Sequence, residues 1–95
     1  MESVFFKVNG QEDVTFDGKL VAHVHDSDSD VSRAVYETPK GNWFYTESDN
    51  ENVLLRSIVI ENKSKEELIK ILKFTDLAKV IYSQLGIETT KKLDI

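Results

Sequence analysis

The chain has 95 residues, enough for one domain with a modest core and too few for a deep cleft between two domains. Its make-up, 40% hydrophobic and 31% charged with one proline and four glycines, excludes a disordered tail, a collagen-like rod or a repeat array. A net charge of −5 disfavours a nonspecific binder of nucleic-acid backbone, and the lack of cysteine removes disulfides, thiol nucleophiles and thiolate metal sites.

In chain order, Val4 to Val8 (VFFKV) is rich in strand formers. Asn9-Gly10 behind it signals a tight hairpin, with Gln11 to Phe16 returning alongside. The opening MESVFFKVNGQEDV lacks the basic lead and long apolar stretch of a targeting segment, so a cytoplasmic location is expected. Asp17-Gly18 repeats the turn signal and predicts a second reversal before Lys19 to His25 (KLVAHVH), giving three short antiparallel strands before Asp26. Asp26 to Ser32 (DSDSDVS) is a polar connector of residues that hydrogen-bond their own backbone.

Arg33 to Glu47 reads as the central hairpin. Thr38-Pro39-Lys40-Gly41-Asn42 places proline where a type I turn sets φ near −65° and glycine where the loop needs a left-handed residue. That register pairs Tyr36 with Phe44, Glu37 with Trp43, Val35 with Tyr45 and Arg33 with Glu47. One face then carries Ala34, Tyr36 and Phe44, and the other carries Val35, Trp43 and Tyr45. One layer of helix hides only one of these faces. The Trp43 face either closes a small core beneath the first strands or stays partly open for a partner.

Val53 to Ile60 (VLLRSIVI) is nearly continuous in apolar residues and reads as a strand buried on both sides, central or covered by helix. At Ser64 the period changes. Ser64 with Glu67 forms a capping box ahead of the stripe Leu68, Ile69, Ile71 and Leu72, and Thr75-Asp76 caps a second helix running to a terminating Gly86. Ile87 to Ile95 is a polar tail whose Leu93 and Ile95 either dock at an edge or trail free. Together these predict one α+β domain over residues 1–95: an antiparallel sheet of about five strands (residues 4–60), then two short helices (about 64–74 and 76–85) packed on one face.

Residues 1–63 hold twelve acids against six bases, and residues 64–95 hold five against six, so the acidic character belongs to the strand half. Lys70, Lys73, Lys79, Lys91 and Lys92 form a solvated helix surface. No glycine-rich phosphate cradle is present, and Ser, His and Asp near residues 23–32 lie on one strand end with no third group in line, so catalysis is not expected and no cofactor is implied. The leading expectation is a binding protein, an inhibitor or immunity-type factor. Asp26, Asp28, Asp30, Glu37 and Glu47 would supply charge to a protein partner, with Trp43 and Tyr45 as aromatic anchors. The alternative is a divalent-metal site, because His23 and His25 share a strand face beside Asp26, Asp28 and Asp30. The run from Asp26 also mimics a calcium loop but has Val31 where that loop needs glycine. An exposed sheet edge leaves pairing with a second copy open.

Phe16-Asp17-Gly18-Lys19-Leu20-Val21-Ala22 and Tyr36-Glu37-Thr38-Pro39-Lys40-Gly41-Asn42-Trp43-Phe44 resemble a pattern in small uncharacterised bacterial proteins. There a G-[EK]-L-[LV]-A strand leads to a Y-x-T-x-x-G-x-[WY] hairpin, and Leu77-Ala78-Lys79 through Leu85-Gly86-Ile87 is similar to a helix that follows it. The resemblance covers about half of the chain. It implies a bacterial, plasmid or phage setting and a strand-rich body followed by helix, and it carries no activity or ligand.

Overall fold

A computed structural model describes Met1–Ile95. Five antiparallel strands, β1 (Glu2–Phe6), β2 (Val14–Asp26), β3 (Val31–Glu37), β4 (Trp43–Ser48) and β5 (Leu54–Ile60), lie in sequential order. A 3-10 turn at Glu61–Lys63 then leads into α1 (Lys65–Leu72) and α2 (Asp76–Leu85). The α+β reading therefore holds, with both helices on one face of the sheet.

The central hairpin has the register that its turn residues dictate. Glu37 lies opposite Trp43, Tyr36 opposite Phe44 and Val35 opposite Tyr45. Thr38 N–H donates to the Asn42 carbonyl at 2.9 Å, and Gly41 takes φ 80°.

The strand count before Asp26 is corrected. Asp17-Gly18 makes no turn, and β2 runs straight through it as one 13-residue strand. Gly18 serves close approach instead of reversal, for a Cβ there would lie 2.8 Å from the Phe16 ring and 3.3 Å from Tyr36 Cβ. The tight turn at Asn9-Gly10 is a longer loop between Phe6 and Val14, with Gly10 left-handed at φ 73° and Val8 N–H donating to Asp13 Oδ1. The first half of β2 pairs with β1 up to Gly18 opposite Glu2, and the second half pairs with β3 from Lys19 onward, with an irregularity between Leu20 and Ala22. Past Gly18 the outer edge of β2 has no strand beside it. There Gln84 of α2 takes both backbone bonds of His23, accepting from its N–H at 2.6 Å and donating to its carbonyl at 2.9 Å.

The sheet also curls until its ends meet. Lys7 forms a parallel bridge to Val53, with Lys7 N–H donating to the Asn52 carbonyl and Leu54 N–H to the Lys7 carbonyl. The curled face encloses Phe6, Phe16, Tyr36 and Phe44, whose rings meet at 4.8 to 6.4 Å in mostly edge-on pairs. The opposite face carries the main core, in which Val35, Trp43, Tyr45 and Ile60 of the sheet pack on Leu68, Ala78, Ile81 and Tyr82 of the helices.

β5 is an edge strand, which corrects its reading as buried on both sides. Ile58 and Ile60 point toward the helices, while Leu55 and Val59 on the other side are 54% and 56% exposed. An apolar run reports β-propensity without reporting position in the sheet. Because β5 leads directly into the 3-10 turn, its Ile58/Ile60 side is the one that the helices fold back onto. Asn42 Oδ1 accepts from Asn62 N–H at 2.9 Å and ties that turn to the hairpin.

Both helix starts are capped by the residues that their sequence names. Ser64 Oγ accepts from Glu67 N–H and Thr75 Oγ1 from Ala78 N–H, each at 3.2 Å. Gly86 closes α2 at φ 74°, with Ile87 N–H donating to the Tyr82 carbonyl. Ile87 is buried, and the tail beyond it has no regular structure, with Leu93 and Ile95 exposed.

Candidate functional site

The curled face that the helices leave uncovered carries the candidate site. Strand alternation puts Leu20 and His23 of β2, Ser32, Ala34 and Tyr36 of β3, and Phe44, Thr46 and Ser48 of β4 on this side. Leu20 is 52% exposed, and Tyr36 and Phe44 are half-buried. At one end, under the hairpin turn, Val14, Phe16, Phe44, Pro39 and Val59 line an apolar hollow of about 390 Å³ with Asp17 and Lys40 at its rim. At the other end a hollow of about 410 Å³ lies among Phe6, His23, Tyr36, Thr46, Asp49 and Asn50. Thr46 is among the residues lining this second hollow, and its Oγ1 is buried with no hydrogen-bond partner. Burial raises the Tyr36 hydroxyl above the ordinary tyrosine range.

The acids are sorted by their loops. The β2–β3 turn holds Asp26, Asp28 and Asp30, and the β4–β5 turn holds Asp49 and Glu51 at the same end of the sheet, since Ser32 pairs with Ser48. Asp26 and Asp49 act as turn-formers: Asp26 Oδ1 accepts from Asp28 N–H, and Asp49 Oδ1 accepts from the N–H groups of Glu51 and Val53. A hydrogen bond from Ser29, then the Asp28 N–H, holds the Asp26 carboxyl below the usual range. Asp30 pairs with His25 at 3.0 Å, whereas Asp28, Asp49 and Glu51 take part in no ion pair.

Several expected contact residues lie elsewhere. Trp43 and Tyr45 are 7% and 0% exposed, buried beneath the helices and not beneath the first strands, so neither is a surface anchor. Glu37 is held by Lys63 at 3.1 Å. Glu47 accepts from the Tyr45 hydroxyl at 2.5 Å and faces Arg33 and Arg56 at 3.8 and 3.7 Å. Burial first, and this bond second, raise the Tyr45 hydroxyl far above its ordinary value. The metal set is not assembled either. No three His, Cys, Asp or Glu side chains converge: His25 is engaged by Ser32 at 3.1 Å and by Asp30, while Asp26 turns toward Arg33.

What sequence reasoning underweighted is the Tyr36/Phe44 face. Its alternation was legible, but Phe16 joins it only because β2 continues through Gly18 and folds that ring back, 5.2 Å from Tyr36 and 4.8 Å from Phe44. Taken together, fold and site define a small α+β protein that presents a curled aromatic sheet face beside acidic turns. Among known proteins no family model matches the chain, nor does any curated protein or solved structure. No helix is long and apolar enough to cross a membrane.

Proposed function

We propose that the protein acts by binding another protein, not by catalysis, and that the partner docks on the uncovered sheet face with its basic groups toward the acidic turns. One observation carries this reading. Leu20, Leu55 and Val59 are exposed on this face together with half-buried Phe44, and the carboxylates of Asp28, Asp49 and Glu51 have no basic partner within the chain. Ring and aliphatic surface supplies affinity, and unpaired carboxylates steer a basic partner. An inhibitor or immunity-type role in a bacterial cytoplasm fits this chemistry: carboxylates that cover a basic active site or nucleic-acid-binding surface on the partner.

Affinity capture tests it, with immobilised wild-type protein set against Phe44→Ser and Asp28→Asn/Glu51→Gln, each first verified as folded. Retention that falls steeply with salt and is lost in both variants supports the reading. A partner held equally by all three proteins and insensitive to salt refutes it.

A further inference from the structure

The outer edge of β5 is open beyond its bridge to Lys7. The bond from Thr38 N–H to the Asn42 carbonyl sets the alternation of the hairpin, so Phe44, Thr46 and Ser48 turn their backbone groups toward β3 while Trp43, Tyr45 and Glu47 turn theirs toward β5. Opposite them, Ile60, Ile58 and Arg56 are thereby engaged, and Ser57 and Val59 direct their N–H and C=O groups outward, where no strand takes them. Lys7 bonds to this edge only as far as Leu54. Neither proline nor lysine guards β5, and its one charge, Arg56, is drawn to Glu47 at 3.7 Å. Exposed Val59 borders the apolar hollow of about 390 Å³ that Phe16, Phe44 and Pro39 also line.

The chain itself carries a segment that suits this edge. Beyond Ile87 the tail has no regular structure, and its Thr90 N–H bonds only to Glu88 Oε1, within the tail. Leu93 and Ile95 are exposed two residues apart, the spacing that puts both on one face of an extended strand. We infer that the tail of a second copy adds to the edge of β5 as an antiparallel strand. With Leu93 opposite Val59, Ile95 falls opposite Ser57, and the backbone groups of both tail residues meet the free ones of β5. Leu93 then covers the hollow beside Val59, Lys91 comes up to Glu61, and Asp94 on the reverse face lies diagonal to half-exposed Arg56. Lys91, Glu61 and Asp94 take part in no ion pair within their own chain, so each is free for these encounters. Mutual exchange of tails closes a two-fold dimer. This edge borders the face proposed for a partner, but the purified chain alone decides the matter, so the two readings fail separately.

The test follows the purified full chain by sedimentation equilibrium from about 10 μM to about 1 mM, where dimer mass should accumulate with concentration. Leu93→Ser/Ile95→Ser alters only exposed side chains and should weaken self-association about tenfold or more. Ser57→Pro removes an outward N–H that no strand of the same chain uses and should do the same. Lys91→Glu should weaken the dimer about twofold to fivefold, and Glu61→Lys in the same chain should restore it. A mixing experiment identifies the source of the tail: isotope-labelled Leu93→Ser/Ile95→Ser protein should show saturable shifts of its Ser57 and Val59 amides when unlabelled wild type is added. Three results overturn the assignment: a monomer at every concentration, self-association unchanged in Leu93→Ser/Ile95→Ser, or no shift of those two amides in the mixture.

Discussion

Replacing Gly18 with alanine tests the reading of β2 as one bent strand. The added methyl would sit 2.8 Å from the Phe16 ring and 3.3 Å from Tyr36 Cβ, and the Phe16 ring is itself boxed in by Phe6, Tyr36 and Phe44. Overpacking of this kind costs about 1–3 kcal/mol. Against it stands a gain of about 0.4–1 kcal/mol, because alanine has less unfolded-state freedom to lose and Gly18 is not left-handed. The steric effect wins, leaving a net loss of roughly 1–2 kcal/mol, or a fall in melting temperature of roughly 4–16 °C for a domain of this size. Urea and thermal unfolding read it. Adding Phe16→Leu, which removes the clashing ring atoms, should recover part of the loss, giving a coupling of about 0.5 kcal/mol or more between the two sites. Gly10→Ala serves as the contrast: its site is open, so its cost of about 1 kcal/mol comes from the left-handed backbone alone and is indifferent to residue 16. A Gly18→Ala protein as stable as wild type, or strictly additive losses with Phe16→Leu, would refute the close-approach account.

Other outcomes follow from contacts already described. Gln84→Ala removes the clamp on the β2 edge and should cost about 1 kcal/mol, with faster hydrogen exchange at the His23 amide than at neighbouring amides. Thr75→Ala removes the α2 cap and should lower stability by about 1 kcal/mol in urea unfolding. Tyr36, Tyr45 and Tyr82 all hold their protons more tightly when folded than when unfolded, each chiefly through burial. Above a pH of about 10 the unfolded chain therefore loses protons that the folded chain keeps, and stability falls as pH rises further. Tyr45→Phe should flatten that slope, as measured by unfolding across the alkaline range.

The hairpin, both helix caps and the helix terminator were legible because each depends on local backbone chemistry at named residues: Pro39, Gly41, Ser64, Thr75 and Gly86. Asp17-Gly18 misled because the same dipeptide suits a turn and a bend, and only the Phe16 ring, packed by residues distant in sequence, decides between them. The position of β5 was hidden for a related reason: side-chain pattern reports which face is apolar, while edge or centre depends on how many strands come before. The two faces of the central hairpin were also legible, but not which of them the helices would cover. That choice follows from the exit of β5, whose Ile58 and Ile60 share a side with Trp43 and Tyr45.

The bridge between Lys7 and Val53 has a kinetic consequence. It joins the first strand to the fifth, so it forms only after the strands between them are in place, and of all the strand pairings it has the greatest loop to close. β1 should thus be the last segment to zip and the first to peel, with the amides of Lys7 and Leu54 exchanging together and ahead of those in β3 and β4. Each such excursion would bare Phe6 and Phe16 to water while leaving the helix-side packing intact.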